Sequence, residues 1–464
     1  MKCFILSIFI GATALSYGQI TRDINKPGEK PVIAVPDLRG AGDAQRFMAT
    51  FNSRLFGDLQ SSGQLKMAPK TFYPLQIPQQ PADFKQPANG SGLWLSDWSG
   101  PPVNSNYLAF GYTASSNNQI MLYGWLYDVR QPNTTSAQLF GKVYVGSLDE
   151  AGARKIAQEF AADILKQFGA VSLIGARIYF VSDRSGHKEI WSMNYDGSDQ
   201  KQFTSYRSIT SFPVVSPDAT KIAFTTYPLL ASSRAADPLR SNLAPQKENF
   251  GQPQIFVHSL ETGRKLVYYN QQASFNAASD FMPDSRHLLT YSSAGGYSIF
   301  VTDLDGGNIR RITHSGSIDV EPKINPKTGS EIVFVSGRGG MPQIYRMSID
   351  GTDVSRLTTG EGEAVNPSWS PDGQHIAFAW TRGFEPGNYN IFIMDVASRD
   401  VVQLTHGAGR NENPVWAPDG VHLAFSSTRG GKTQIYMMLA DGSGIQQLTT
   451  QGNNEKPVWA KGPQ

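Results

Sequence analysis

Cysteine is all but missing from this 464-residue chain, whose single copy, Cys3, sits among the first few residues. Removal of a short leader would leave no disulfide and no thiolate metal site. A surplus of one charge is missing too. There are 41 basic and 39 acidic residues for a formal net charge of +2, with no long run of either sign, so an electrostatic nucleic-acid footprint is not expected. The apolar run from Phe4 to Ala14 is too short to span a bilayer. It follows Lys2 and precedes Ser16-Tyr17-Gly18, which is the order of a secretory signal peptide and predicts one over residues 1–18. Cys3 lies before the apolar run, away from the place of a lipid-acceptor cysteine.

Catalytic signatures are equally scarce. There is no Gly-x-Ser-x-Gly elbow and no His-Glu-x-x-His. Gly430-Gly431-Lys432-Thr433 ends like a phosphate loop, but Ser426 stands where an earlier glycine is required. Asp303 to Gly306 begins like a calcium loop and lacks the remaining ligands. His287, His375 and His422 share one repeat position, which separates them around a ring and predicts solvated surface rather than a shared metal. Arg184, Arg338, Arg382 and Arg429 recur in the same way and predict a hydrogen bond serving each repeat. No catalytic residue, cofactor or metal ligand is assigned.

Turn formers and aromatics are what the chain has in quantity: Gly 45, Pro 28 and 11% aromatic residues. They fall into a unit of about 45 residues with four short strand-like segments, the mark of a β-propeller. The unit reads Pro-x-Trp-Ser-Pro-Asp-Gly, Ile-Ala-Phe, Ile-Tyr-x-Met, Asp-Gly, Leu-Thr. Each strand type occurs six times from Ile178 onward. The series begins on a second strand and ends on an orphan first strand, Pro457-Val458-Trp459-Ala460, which predicts that the last strand closes the ring in the sheet begun at Ile178.

Before the repeats, strand and helix patterns alternate. Pro31 to Val35 reads as a strand, and Asp43 to Leu59 as a helix with Phe47, Phe51 and Leu55 on one face. Three strands are expected at Tyr107–Tyr112, Gln119–Tyr127 and Ala137–Tyr144. A second helix has Asp149 at its start, Ile156, Phe160, Ile164 and Phe168 as its stripe, and Gly169 at its end. The expected architecture is multidomain, α/β plus all-β. A signal peptide (1–18) and a flexible segment (19–30) precede a small α/β domain (31–170) and a six-bladed β-propeller (175–464) closed by its C-terminal strand.

Alternating strand direction puts the tight Pro-Asp-Gly and Asp-Gly turns on one face of the ring. The longer, varied connections lie on the other, together with an insertion from Tyr227 to about Pro253. Binding concentrates on varied loops over a rigid frame. The candidate site is therefore the channel mouth on that face: Phe212, Asn276, Glu321, Asn366, Glu412, Asn413 and Glu455, just before the first strands. The alternative is that these residues cap strand starts and face water. Trp369, Trp416 and Trp459, at one repeat position, are expected in the core rather than as sugar platforms.

The repeats Pro367-Ser-Trp-Ser-Pro-Asp-Gly373 and Pro414-Val-Trp-Ala-Pro-Asp-Gly420, with Ile344-Tyr-Arg-Met347 and Lys456-Pro-Val-Trp-Ala460, resemble those of the TolB family. The order of leader, α/β domain and propeller is similar as well. The resemblance implies a non-enzymatic periplasmic adaptor of the Tol-Pal envelope system, peripheral to the membrane through its partners only. It further implies a Pal-like lipoprotein at the channel mouth and a TolA-like inner-membrane protein at the N-terminal segment, with Thr21, Arg22, Asp23 and Ile24 in its contact region. The competing reading is an exported propeller hydrolase or the regulatory domain of a peptidase.

Overall fold

The computed structural model describes residues 30–84, 92–228, 251–269 and 271–462. The expected signal peptide, Thr21 to Ile24 of the N-terminal segment and residues 229–250 of the insertion lie outside the described residues. The chain divides into two compact units between Ile174 and Gly175. Among the described residues no helix is long and apolar enough to cross a membrane.

The first unit is a mixed sheet covered by two helices. Its main strands are β1 (Val32–Ala34), β2 (Lys66–Met67), β3 (Tyr107–Ser116), β4 (Gln119–Asp128) and β5 (Gln138–Ser147), and a sixth, two-residue strand at Arg39–Gly40 pairs parallel with β3. They lie in the order β2-β1-β3-β4-β5, with β1 parallel to both neighbours. The helices are α1 (Met48–Ser61) and α2 (Glu150–Gln167). Phe51 and Leu55 of α1 and Ile156, Phe160 and Ile164 of α2 are buried against the sheet. Phe168 packs on the margin of that core, with its ring 4.8 Å from Tyr107. Asp149 caps α2 by accepting from the Gly152 N–H at 2.7 Å. Helix α1 begins later than the periodicity predicts: Gly42–Phe47 forms a tighter 3₁₀ turn, and Asp43 lies inside it instead of capping the helix.

The Pro/Gln-rich stretch after Ile77 holds more structure than its composition suggests. A one-turn helix at Ser96–Ser99 seats Trp98, fully buried, 5.4 Å from the Tyr73 ring. With Phe84, Phe110 and Tyr127 it makes a second, largely aromatic core on the other face of the sheet.

The second unit contains six four-stranded antiparallel sheets. Each repeated motif has a physical task. The Ile-Ala-Phe runs are second strands, and Phe180, Phe224, Phe334, Phe378 and Phe425 on them are fully buried. Trp369 packs with Phe378 on its own sheet and Val333 on the preceding one. Leu-Thr ends a blade because the threonine hydroxyl accepts the N–H of the second residue of the third strand. The distances are 2.9 Å for Thr358 to Ile344, Thr405 to Ile391 and Thr449 to Ile435.

Asn454–Ala460 pairs antiparallel with Arg177–Ser182, bringing Trp459 opposite Ile178. The ring is closed by the chain's last described strand, and its two ends complete one sheet. Across this junction the Asn453 N–H donates to Asp183 Oδ1 at 2.7 Å and Arg184 Nη2 to Asn454 Oδ1 at 2.8 Å.

Candidate functional site: a ring of bulge residues in the propeller channel

The innermost strand of a blade has six aligned places, and the third is unusual. In five blades the pairing slips there: between Ser211 and Val214, Val320 and Lys323, Val365 and Ser368, Glu412 and Val415, and Glu455 and Val458. Proline follows each time, and having no N–H to pair, it suits the bulge. The residue before it takes a positive φ: Phe212 55°, Glu321 53°, Asn366 54°, Asn413 53° and Lys456 54°. Left-handed backbone costs a side-chain-bearing residue about 1–3 kcal/mol, least for asparagine. Here it re-aims each side chain into the channel.

These side chains meet across blades. The Asn366 N–H and Nδ2 donate to Glu321 Oε2 and Oε1 at 2.7 and 3.0 Å. The Asn413 N–H and Nδ2 both donate to Asn366 Oδ1, at 3.2 and 3.0 Å. Lys456 Nζ lies 4.5 Å from the centre of the Phe212 ring, and Phe212 meets Phe275 edge-on at 5.7 Å. All five are half-buried. The third blade breaks the pattern: it has Ala278 at this place, no proline and no positive φ. Ala278 leaves a gap in the ring.

The other expected residues are sorted by the same register. Glu412 and Glu455 stand one place earlier, at the rim. Glu412 Oε2 is 2.7 Å from Arg410 Nε, and Glu455 Oε1 is 2.6 Å from Lys188 Nζ. Burial pushes the Glu412 carboxyl above the usual carboxylate range, against the pull of Arg410 and Lys456. Beside them Tyr389 donates to Glu363 Oε2 at 2.5 Å, and burial followed by that carboxylate raises its phenol.

Asn276 is not at the mouth. It is 1% exposed, accepts from the Ser292 hydroxyl, and donates to the Gln271 and Pro253 carbonyls at 2.6 and 3.2 Å. It belongs to the first place in the strand, where Asp319 and Asn411 accept from the serine and arginine of the next segment and Asn454 from the arginine. Asn276→Ala would leave buried hydrogen-bonding groups unpaired and should destabilise the protein by about 2 kcal/mol, read from the urea midpoint.

Lys456 was not singled out in the sequence, although Lys456-Pro457 aligns with Asn366-Pro367 and Asn413-Pro414. That dipeptide is the signal that would have found it. Three of the four repeated arginines make the expected bond: Nε of Arg184, Arg338 and Arg429 donates to Ser182, Ser336 and Ser427 at 2.9, 2.9 and 3.0 Å, whereas Arg382 lies over the Trp380 ring at 5.0 Å. The histidines correct the expectation of solvated surface. His375 and His422 are 3% and 4% exposed, and His422 Nδ1 lies 2.6 Å from Asp419 Oδ2. Only His287 is substantially exposed among the three, held between Asp284 and Asp303 at 2.5 and 3.1 Å. His287 and His422 brace the turn before the second strand, while His375 Nε2 lies 3.7 Å from Asp395 of the third strand.

The five ring residues help to line a cavity of about 380 Å³ in the channel. Trp369, Trp416 and Trp459 present edges to it while remaining buried in the blades. Its lining reaches Pro217, Pro371 and Pro418, so it extends toward the face of uniform turns. Asp280 is in this wall and accepts from the Phe281 and Ile324 N–H groups at 3.0 and 3.1 Å, while burial raises its carboxyl. Among the described residues no three His, Cys, Asp or Glu side chains are placed to hold a metal ion. The ring itself can recognise: it offers a carboxylate, two amides, an ammonium and an aromatic face in fixed order.

Residues 233–383 and 360–463 match the family described as the TolB beta propeller domain. A protein TolB homolog of Chlorobium luteolum is 29% identical over 358 residues, 77% of this chain and 72% of that protein. One from Chlorobium chlorochromatii is 32% identical over 238 residues, 51% of this chain and 47% of its own length. The Tol-Pal system protein TolB of Bordetella pertussis is 28% identical over 233 residues, 49% of this chain and 48% of that protein. For the last two, the match spans about half of the relative. The crystal structure of TolB from Acinetobacter baumannii shares the fold, with TM-score 0.68 and 23% identity over 94% of this chain and 97% of that one.

Proposed function

Since this chain belongs to the TolB family, we propose that it is a periplasmic, non-enzymatic adaptor of a Tol-Pal system. In this reading it links an outer-membrane, peptidoglycan-associated lipoprotein to inner-membrane Tol proteins, and it serves envelope integrity and constriction at division. The Pal-like lipoprotein docks at the channel mouth, and a TolA-like protein takes the N-terminal segment, including Thr21 to Ile24. The observation that carries the reading is the ring. Five side-chain-bearing residues hold left-handed backbone to aim into the channel, and strain of that kind persists where surrounding structure holds it for a task. A protein loop that enters the mouth would exchange hydrogen bonds with Glu321, Asn366 and Asn413 and meet the Glu412 and Glu455 rim.

Asn366→Gly tests this cleanly. Glycine is at ease at φ 54°, so stability should hold or rise, while the amide that joins Glu321 to Asn413 is lost. Calorimetry with the soluble domain of the Pal-like lipoprotein should show at least about tenfold weaker binding, or 1.4 kcal/mol. An unchanged affinity would remove the channel mouth from the interface. Deleting residues 19–29 should abolish capture of the TolA-like protein and leave the lipoprotein affinity within about twofold.

A further inference from the structure

Most sheet edges in this protein are short. The outermost strands of the blades are two residues long in four cases, as at Lys201–Gln202 and Gln446–Gln447, three at Val401–Gln403 and five at Lys265–Tyr269. The β2 edge of the first unit is two residues long. Short edges present few unpaired backbone groups and so deter pairing with other chains. Strand β5 departs from this: it is ten residues long and, among the described residues, pairs with β4 alone.

The free edge of β5 is legible from one contact. The Val145 carbonyl accepts from Lys155 Nζ at 3.1 Å and so points away from β4. By the two-residue repeat of a strand, the N–H and C=O groups of Gly141 and Val143 point outward too. The side chains beside them are not guarded. Leu139, Val143 and Val145 are 41%, 48% and 39% exposed, and the strand's one charged residue, Lys142, lies on the opposite face, tied to Asp163 at 2.6 Å.

From this geometry we propose that β5 is a strand-addition site that accepts an extended segment of a partner protein. The segment carries apolar side chains at alternate positions and at least one acidic residue between them. The apolar set extends the face of Val143 and Val145. The acidic residue approaches Lys142 and Lys155, 57% and 59% exposed, which also pair with Asp163 and Glu159 at 2.6 and 3.6 Å. A second copy of this chain is a poorer occupant. Helix α2 rides along β5, where Gly152 meets Gly146 backbone to backbone and Asp163 meets Tyr144 at 2.8 Å. Pairing two copies edge to edge would bring two α2 helices together on one face of the joined sheet, where packed helices need about 8–10 Å between their axes. A single strand with no helix above it fits that space.

The test uses the full chain and a short synthetic peptide in which valine alternates with glutamate and threonine, beside a scrambled peptide of the same composition. The alternating peptide should slow amide hydrogen exchange at Gly141 and Val143, and the scrambled one should not. Val143→Pro removes an outward N–H that no ladder bond uses. Val143→Lys places a charge on the edge without touching the backbone. Both should weaken peptide binding by about tenfold or more, with the thermal midpoint held in at least the lysine variant. Equal binding of the two peptides, or of wild type and V143K, overturns the proposal. So does concentration-dependent self-association that V143K abolishes, which would make a second copy the occupant.

Discussion

A chain ending at Lys456 should lose its propeller as a cooperative unit. Removing residues 457–464 deletes Trp459 and Ala460, 7% and 6% exposed, and with them the ladder opposite Ile178 and Tyr179. Loss of one buried tryptophan side chain alone costs about 3–5 kcal/mol, against a total stability of about 5–15 kcal/mol for a typical domain. The edge from Arg177 to Phe180 would be largely hydrophobic and unpaired on one side. The expected result is a thermal midpoint lowered by at least about 10–20 °C and rapid protease cleavage within residues 177–194. Trp459→Ala, which keeps the strand and its backbone pairing, should fall between the truncation and wild type. If the truncated chain resists protease and melts like wild type, the ring is not fastened by this strand.

Gly152→Ala should be almost as damaging, at a residue whose replacement looks favourable by helix propensity. In a free helix the change would gain about 1 kcal/mol. Here a Cβ at Gly152 would stand 1.9 Å from the Ser147 carbonyl oxygen and 2.5 Å from the Ser147 nitrogen. Both are backbone atoms of β5, so no flexible side chain can move aside. Helix α2 must lift from the sheet, loosening Ile156 and Phe160, which are fully buried. We expect a loss of about 3 kcal/mol or more, measured as a lower urea midpoint for the first unit. Gly57, with open space around its Cβ position, is the control: Gly57→Ala in α1 should be neutral or stabilising. A stabilised Gly152→Ala protein would mean that α2 does not sit on β5 as described.

The fold was legible because its signals are local. A Pro-Asp-Gly turn, an Ile-Ala-Phe strand and a Leu-Thr blade end each act within a few residues, and the order of strand types gives both the blade number and the closing strand. Helix α2 is equally explicit, since its cap and its stripe are written in consecutive residues. Trp98 was hidden for the opposite reason. Its stretch has no periodicity, and its burial depends on Tyr73 and on the aromatic face of β3 and β4, which are distant in sequence.

The candidate site was half legible. Phe212, Glu321, Asn366 and Asn413 were marked by position, but their convergence rests on a bulge. A bulge is a relation between two strands, so side-chain direction past it cannot be counted along one strand alone. Asn276 was misplaced because the third blade lacks the bulge-proline, which shifts its apparent alignment. His375 and His422 were misjudged, unlike His287, because burial beside a turn depends on packing that the local sequence does not show.

The six-bladed propeller, its closure by Pro457 to Ala460 and the small α/β unit could be read along the chain, because the turns and apolar periods responsible are encoded in short windows. Which side chains share the channel, that Lys456 is among them, and that β5 keeps a long open edge among the described residues emerge only in three dimensions. Those properties belong to pairs of strands and blades, whose register is set by packing between segments far apart in the chain.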